Sequence, residues 1–293
     1  MAQNLADKYS PKVVERFKLK SFTDIGVNQD YDWDGVNTVN VYSVAVPALA
    51  TYSRIAASNR YGTPAELDTT KQALSLARDR AFTYVIDRRN REESMSVQDA
   101  GKSLARTVDE VVVPEIDIYR LAALNTAAVA NSKKINTGAT TTSNAYTNFL
   151  GLQESVSNSL VPLSGRVCFV TYAYYNLLKQ GGFILASEAG QSSRSSGNVG
   201  NVDGVECVVV PLSYMPTNTD MILTHSSACV SPLVLSDYIV HENAPGFSGH
   251  LVEGRVVYDA FVLTTKQNAI AVHASVWVVY SLILINTGVI YGW

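Results

Sequence analysis

The stretch HENAPGFSGHLVEGRVVYDAFVLTTKQNAI, residues 241–270, is the most informative part of this chain. It places histidines, glutamates and a serine among glycines, a composition that many catalytic loops share. From His250 onward, however, apolar and polar residues alternate as they do along a half-buried β-strand. The stretch therefore predicts either an active site or part of a sheet.

The catalytic motifs that the stretch could contain are incomplete. His241 is followed by Glu242, but no second histidine lies four residues along, and Pro245 would break the helix that a zinc-protease motif needs. A nucleophile elbow would need glycine two residues after Ser248, where this chain has His250. The sheet hypothesis is therefore favoured.

Other chemistry-bearing residues give no complete site either. His225 and Cys229 would form a catalytic pair only if the fold brought them together with an orienting group. His273, in an apolar run, is typical of a core or interface residue. The triplet GKS at 101–103 ends like a Walker A loop, but the motif's first glycine would fall at Ser96, in a helical pattern. We predict no catalytic residue and no cofactor.

One acidic segment matches the first half of a calcium-binding loop. In DYDWDG, residues 30–35, Asp30, Asp32 and Asp34 occupy the oxygen-donating positions, followed by a glycine. The twelfth position should be a bidentate glutamate and is Val41. The pattern favours an acidic turn before a strand, with calcium as the alternative, so no metal site is predicted.

The composition excludes some classes of protein. The net charge is -3 over 293 residues, so no basic surface is predicted that would grip nucleic acid. Hydrophobic residues make up 47% and charged residues 17%, which leaves apolar surface for contact with other subunits. Cys168, Cys207 and Cys229 are far apart in apolar runs and indicate reduced core residues.

Neither end of the sequence predicts a membrane or export signal. The opening MAQNLADKYSPKVVERFKLK is charged and amphipathic, without the apolar core of a signal peptide. The final VWVVYSLILINTGVIYGW is apolar but rich in β-branched residues and interrupted by Ser281, Asn286 and Gly288. This favours a last strand over a membrane helix.

The periodicity in the first half predicts an arm, a hairpin and a long helix. Residues 1–30 are polar and are expected to order only against something else. Strand patterns at 36–46 and 72–87 flank a long turn-rich connection, and such a hairpin must lean on a neighbour. From Ser96 to about Val129, apolar residues including Val111 and Val112 recur at helical spacing on one side, and Ser96 with Asp99 resembles a weakened capping box at the start. Pro114 should kink or restart this rod.

The second half mixes helix and strand. Residues 166–180 predict a strand that runs into a short helix, followed by a polar loop at 190–204 and a strand at 205–211. Two alternating runs, 250–263 and 268–280, are linked by TTKQ and predict an antiparallel pair. The fold class is therefore α+β.

Several blocks of sequence occur in a fixed order with the opening stretch. They are DGVNTVNVYSV (34–44), AFTYVIDRRNREESM (81–95), VVVPEIDIYRLA (111–122), HENAPGFSGHLVEGRVVYDAFVL (241–263) and NAIAV (268–272). Together they resemble the major capsid (head) proteins of tailed double-stranded-DNA bacteriophages, from about residue 1 to residue 273. Several ordered blocks are more specific than one short motif.

The resemblance implies a division of the chain. It implies an N-terminal arm at 1–30, an extended β-hairpin loop at 31–90, and a peripheral domain with a long spine helix at 91–145. An axial domain at 146–240 and return strands with a C-terminal strand at 241–293 complete it. Gly246, Gly249 and Gly254 would then serve turns at the domain junction, and Val256, Tyr258, Phe261 and Leu263 would supply sheet faces.

The resemblance also implies a structural function and a set of partners. The subunit would form hexamers and pentamers of an icosahedral virion shell, assembled in the host cytoplasm around double-stranded DNA that it does not bind specifically. Scaffolding and portal proteins, and decoration proteins, would be its other partners, with no membrane. An encapsulin-like shell around cargo protein is the alternative, and an enzyme using Cys229 or His225 is a third.

Two departures from relatives give further expectations. The capsid-like pattern begins almost at once, which favours a separate scaffolding protein over a cleaved N-terminal one. Some relatives crosslink subunits through a lysine in the extended loop. Residues 31–88 contain only Lys71, which lies at the start of the predicted return strand, so no such crosslink is predicted.

Overall fold

The computed structural model describes residues 21–29, 31, 38–55, 58–64, 66–93, 100–181, 201–242, 246 and 248–274. Within these residues, the chain contains both helices and strands, and the strands form four sheets, so the predicted α+β class is confirmed. Among the described helices, none is both long and apolar enough to span a lipid bilayer. The C-terminal strand predicted beyond residue 274 lies outside the described residues.

The first sheet is a two-stranded hairpin. Strand β1 (Thr38–Val44) pairs antiparallel with β2 (Thr69–Ser75), and residues 45–68 connect them. The single strand predicted at 72–87 is wrong, because β2 ends at Ser75 and β3 (Arg78–Asp87) joins another sheet. At the break, the Ala77 N–H donates to Asp259 Oδ2 at 2.8 Å.

A short helix and, from residue 100, a long helical rod follow. Helix α1 spans Arg88–Glu93 and α2 spans Ala100–Thr107; a π-helical turn at Val108–Val112 then leads into α3 (Val113–Ala130). In the π turn the Val113 N–H donates to the Val108 carbonyl, five residues back. Pro114, which has no N–H, lies in the first turn of α3, so the predicted restart of a long rod is confirmed. Ser96 and Asp99 lie outside the described residues.

The π turn also changes which side chains face the core. Val112 and Ile116 pack on Val256 and Tyr258, but Val111 is 55% exposed. The prediction that Val111 lies on the buried side is wrong, because Val111 lies inside the π turn, whose wider spacing departs from the α-helical period that the prediction assumed.

The remaining elements follow in chain order. They are β4 (Lys134–Asn136), α4 (Ala145–Ser157), β5 (Arg166–Thr171), α5 (Tyr172–Gln180), β6 (Asn201–Val202), β7 (Val205–Val210), β8 (Met221–His225), β9 (Cys229–Val230), β10 (Leu233–His241), β11 (Gly249–Tyr258), β12 (Phe261–Val262) and β13 (Ala271–Ala274). The predicted strand-to-helix unit at 166–180 is confirmed. Its helix begins where Thr171 Oγ1 accepts a hydrogen bond from the Tyr174 N–H.

Two larger sheets organise these strands. One has the order β10-β11-β3, and the other has the order β4-β13-β8-β5-β7-β6; β12 and β9 form a small separate pair. The predicted pairing of 250–263 with 268–280 is wrong for the described residues. Strand β11 pairs with β10 and β3, whereas β13 pairs with β4 and β8. Thr264–Ala269 forms a 3₁₀ helix that carries the chain from one sheet to the other.

The six-stranded sheet is covered on both faces. Val167 and Phe169 of β5 pack in one core with Leu121 and Leu124 of α3. Cys168 and Val170 pack in a second core with α4 and α5 side chains, including Phe149 and Tyr174. Every residue of β5 is therefore buried, which explains the unbroken apolar run in its sequence.

Part of the predicted arm packs on its own chain. The Asn28 N–H donates to the Cys229 carbonyl at 2.7 Å, and the Ser231 N–H donates to the Asn28 carbonyl at 3.0 Å. Val27 is buried in the core beneath α3. The prediction that this region orders only against something else is therefore wrong for residues 21–28, while residues 1–20 lie outside the described part.

Candidate assembly surfaces

The connection between β1 and β2 exposes much apolar surface. We call residues 45–68 the hairpin tip. Within the tip, Leu49 and Ile55 are as exposed as in an extended chain, at 104% and 96%. Further exposed apolar side chains in the tip are Val46, Tyr52, Tyr61 and Leu67. Apolar surface of this extent is typical of a contact with another chain.

The hairpin tip still has a defined shape. The Ala45 N–H donates to the Asp68 carbonyl, and the Ser53 N–H donates to the Arg60 carbonyl, both at 2.9 Å. Tyr52 and Tyr61 meet edge to face, with ring centroids 5.0 Å apart. These contacts fix the described part of the tip that carries the exposed apolar side chains.

The root of the hairpin is fixed to the rest of the chain. Leu74 is buried with Val230 and Leu263. The Gln72 amide donates to the Val262 carbonyl at 3.1 Å, and its oxygen accepts from the Thr264 N–H at 3.0 Å. The hairpin is thus anchored at one end and exposed at the other.

A buried charged pair on α3 holds the N-terminal segment. Asp117 accepts hydrogen bonds from Ser21 Oγ at 2.7 Å, from the Phe22 N–H at 2.9 Å and from Thr23 Oγ1 at 2.5 Å. Arg120 donates to Asp24 at 2.6 Å and to Ser231 Oγ at 2.7 Å. We call these seven residues the N-terminal anchor.

The N-terminal anchor was missed at the sequence level. Asp117 and Arg120 are both almost completely buried, and a buried ion pair is tolerated only when hydrogen bonds satisfy its remaining donors and acceptors. The available signal was two opposite charges three residues apart inside an apolar helical run. Such a pair indicates that another segment of the chain supplies buried hydrogen-bond partners. It does not identify that segment.

Exposed ion pairs tie β3 to its neighbours. Arg255 binds Asp79 through two hydrogen bonds, at 3.0 and 2.6 Å, and these bonds lower the pKa of Asp79. Arg80 donates to Glu115 at 2.8 Å, and the Tyr258 hydroxyl donates to the same carboxylate at 2.9 Å. These contacts fix the sheet β10-β11-β3 against α3.

The polar residues of the opening stretch do not converge. His241 Nε2 lies 3.3 Å from Glu253, and His250 Nε2 accepts from Arg91 at 2.6 Å. The Ser248 carbonyl accepts from the Arg88 N–H at 2.9 Å. Each residue has its own partner along β10, β11 or α1, so the stretch forms part of a sheet, as predicted.

The glycines of the stretch have two different roles. Gly246 precedes β11 with a φ angle of 87°, as predicted for a turn position. Gly249 is the first residue of β11 and pairs with Asp87, so its predicted turn role is wrong; a Cβ there would clash with the Ile86 carbonyl oxygen. Gly254 is not a turn residue, which corrects the prediction. It lies in the middle of β11 opposite Phe82 and Tyr238, whose rings stack with centroids 6.1 Å apart in space that a side chain would occupy.

The proposed Cys/His pair is not assembled. His225 Nε2 donates to the Ser164 carbonyl at 2.9 Å, and Nδ1 accepts from the Ser227 N–H at 3.2 Å. Burial raises the pKa of Cys229 to about 12, the opposite of an activated thiol. Cys168 pairs in register with Cys207, whose hydrogen bond and the burial raise the Cys168 pKa well above its ordinary value. All three cysteines are free and buried, as predicted.

The other candidate motifs have simple outcomes. The GKS triplet lies in α2, so its predicted helical conformation is confirmed. Among the described residues, no three His, Cys, Asp or Glu side chains are grouped as a metal site. Asp30, Asp32 and Asp34 lie outside the described residues, so the calcium hypothesis stays a prediction.

Comparison with solved structures identifies the fold. The capsid structure of cyanophage P-SCSP1u matches with a TM-score of 0.73 and 13% identity, covering 93% of this chain and 93% of that chain. The asymmetric unit of the bacteriophage PhiM1 mature capsid matches with a TM-score of 0.71 and 10% identity, covering 92% of each chain. A structure from Mycobacterium phage Che8 matches with a TM-score of 0.68 and 15% identity, covering 92% of this chain and 97% of that chain.

These matches define the class of fold. The chain has the α+β fold of tailed-phage capsid structures, which its sequence blocks resemble. No family model and no curated protein sequence matches it. The sequence identities are 10–15%, so these matches establish a shared fold.

Proposed function

We propose that this chain is the major shell subunit of a tailed-bacteriophage head. The observation that carries the proposal is the match to two phage capsid structures over 92–93% of the chain. The exposed hairpin tip supports it, because a subunit that must contact neighbours needs apolar surface outside its own core. The subunits would form hexamers and pentamers of a closed icosahedral shell.

The units of the structure suggest how the subunit is divided. Residues 1–30 would be the arm, 31–90 the extended loop and 91–145 the peripheral domain with its spine helix. Residues 146–240 would be the axial domain, with return strands at 241–293. The six-stranded sheet takes β4 and β13 from outside 146–240, so these two strands belong with the axial unit in this proposal.

The chemistry of the subunit suits enclosure of DNA without specific binding. Its net charge of -3 offers no excess of cations to phosphates, so packed DNA would slide along the wall. The subunit would assemble in the host cytoplasm and remain in the virion. Scaffolding, portal and decoration proteins would be its further partners, and its role would be structural, not enzymatic.

Electron microscopy of the purified chain tests the proposal. Negative staining, with sedimentation velocity on the same sample, should show shells, tubes or rings of five and six subunits. Leu49→Asp and Ile55→Asp should prevent assembly while the subunit stays folded by circular dichroism. Thr51→Asp places the same charge in the hairpin tip without removing an apolar side chain and should assemble.

Two outcomes would count against the proposal. A subunit that stays monomeric alone and with its candidate scaffolding protein would overturn it. Particles from the natural source that enclose a cargo protein, and no nuclease-protected DNA, would replace it with the encapsulin-like alternative.

A further inference from the structure

A polar cluster lies at one edge of the six-stranded sheet, where β4 and β13 end and β8 begins. Thr137 Oγ1 is 2.7 Å from His273 Nε2. His273 Nδ1 is 3.7 Å from Asp220 Oδ2. The fold therefore aligns a hydroxyl, an imidazole and a carboxylate, each from the end of a different strand.

The three groups differ in their access to solvent. His273 and Asp220 are completely buried, whereas Thr137 is exposed. Within the described part of the chain, His273 Nδ1 makes no hydrogen bond. A carboxylate on that side favours the tautomer with hydrogen on Nδ1, which leaves the Nε2 lone pair to accept the hydroxyl proton of Thr137.

The surroundings leave room for a small reagent beside Thr137. Gly138 has a φ of +77°, and a Cβ placed on it would meet no atom within 4 Å. The Tyr174 ring meets the imidazole edge to face, with centroids 5.6 Å apart. His273 is thus packed inside the core, and Thr137 lies at the exposed end of the cluster.

We propose that Thr137 is an activated nucleophile and a site of covalent acylation by small activated esters. The Thr137 Oγ bonds to the acyl carbon, and the ester bond to the leaving alcohol breaks. The hydroxyl proton passes to His273 Nε2 and then to the departing oxygen, so no other reactant is needed. His273 acts as the general base, and Asp220 is a positioning residue that orients it.

The geometry favours one modification per subunit over turnover. The adjacent Gly138 N–H donates to Asn136 Oδ1 at 3.2 Å, so it is already engaged and does not serve as an oxyanion donor. The acyl group should therefore form and persist. In this respect the site differs from that of a hydrolase.

Site-resolved acetylation by p-nitrophenyl acetate tests the proposal on the intact chain. Peptide mass spectrometry should show Thr137 acetylated at least tenfold faster than Thr51 and Thr63, which are also exposed. General-base assistance commonly supplies a factor of about 10² or more. Thr137→Ser should react faster because its hydroxyl is less hindered, and Thr137→Val should lose the modification at this position.

A variant of His273 distinguishes activation of Thr137 by the imidazole from simple exposure of the Thr137 hydroxyl. His273→Gln should reduce acetylation of Thr137 to the rate of Thr63, because the glutamine amide cannot accept the hydroxyl proton as a base. Acetylation of wild-type Thr137 no faster than Thr63 would overturn the proposal, and this comparison needs no variant to fold.

Discussion

Gly254 shows how a single missing side chain shapes a sheet. A Cβ there would lie 2.6 Å from Phe82 Cε1 and 2.8 Å from Tyr238 Cδ1. The glycine lets aromatic rings from both flanking strands close over the central strand, which compensates for the apolar contact that glycine cannot make. The packing of the sheet β10-β11-β3 therefore requires glycine at position 254, because a Cβ there would clash with both rings.

Gly254→Val should destabilise the subunit. Overpacking at this position should lower the free energy of unfolding by about 1–3 kcal/mol, because Phe82 and Tyr238 must both move. Urea denaturation followed by circular dichroism measures the change. Gly151→Ala is the matched control, since its Cβ would meet no atom within 4 Å in α4 and alanine favours the helix. Equal effects of the two substitutions would contradict this account.

Cys229 should be chemically silent while the chain is folded. Burial raises its pKa to about 12, so the thiolate that reacts with iodoacetamide is scarce at pH 8.5. Because the pKa of Cys229 is higher in the folded state, its buried neutral thiol contributes fully to the free energy of unfolding below the unfolded-state pKa of about 8.5. That contribution is lost as the pH rises towards 12. Mass spectrometry at pH 8.5 should show labelling only after denaturant is added. Rapid labelling of the native subunit would disprove the burial argument.

The N-terminal anchor is the element on which the start of the chain depends. Residues 21–24 supply partners to both buried charges: two hydroxyls and one backbone N–H bind Asp117, and the Asp24 carboxylate binds Arg120. The segment then continues beside β9 through backbone hydrogen bonds. Residues 21–28 are thus part of the folded subunit.

Asp117→Ala should be strongly destabilising. It leaves the Arg120 charge buried with fewer partners, and breaking such a pair costs about 3–5 kcal/mol. Thr126→Ala, at an exposed position on the same helix, should change the free energy of unfolding by less than about 0.5 kcal/mol. Denaturant titration of both variants checks the difference, and a cost for Asp117→Ala as small as that of the control would refute it.

The elements that could be predicted from sequence are those whose pattern is local. The strand and helix at 166–180 and the rod at 100–130 carry their periodicity within a short window. The break after Ser75 could not be found in this way, because its cause is a hydrogen bond to Asp259, far along the chain. The separation of β11 and β13 into different sheets was not predicted, because TTKQ can form either a turn or the 3₁₀ segment seen here.

The candidate site shows the same limit. The absence of a complete catalytic motif in the opening stretch was visible in the sequence. The exposure of the hairpin tip could be inferred from its length, but the N-terminal anchor and the Thr137–His273–Asp220 cluster join residues that are distant in sequence. Only the three-dimensional arrangement brings these groups together.

For the proposed shell, we predict that no covalent crosslinks join the subunits through the hairpin. Lys71 lies within β2 opposite Tyr42, outside the hairpin tip, and it is the only lysine in residues 31–88. Particles boiled in detergent should therefore give a single subunit band on electrophoresis. A ladder of multimers would show that another lysine is used or that the pairing of β2 differs in the shell.

The hairpin tip also has a thermal consequence. A contact made by burying Leu49, Ile55 and their neighbours would be driven near room temperature by the release of water, and that driving force weakens on cooling. The two covered faces of the six-stranded sheet keep each subunit folded through the same change. Chilling should therefore loosen the association between subunits before it affects the subunits themselves, and warming should restore it.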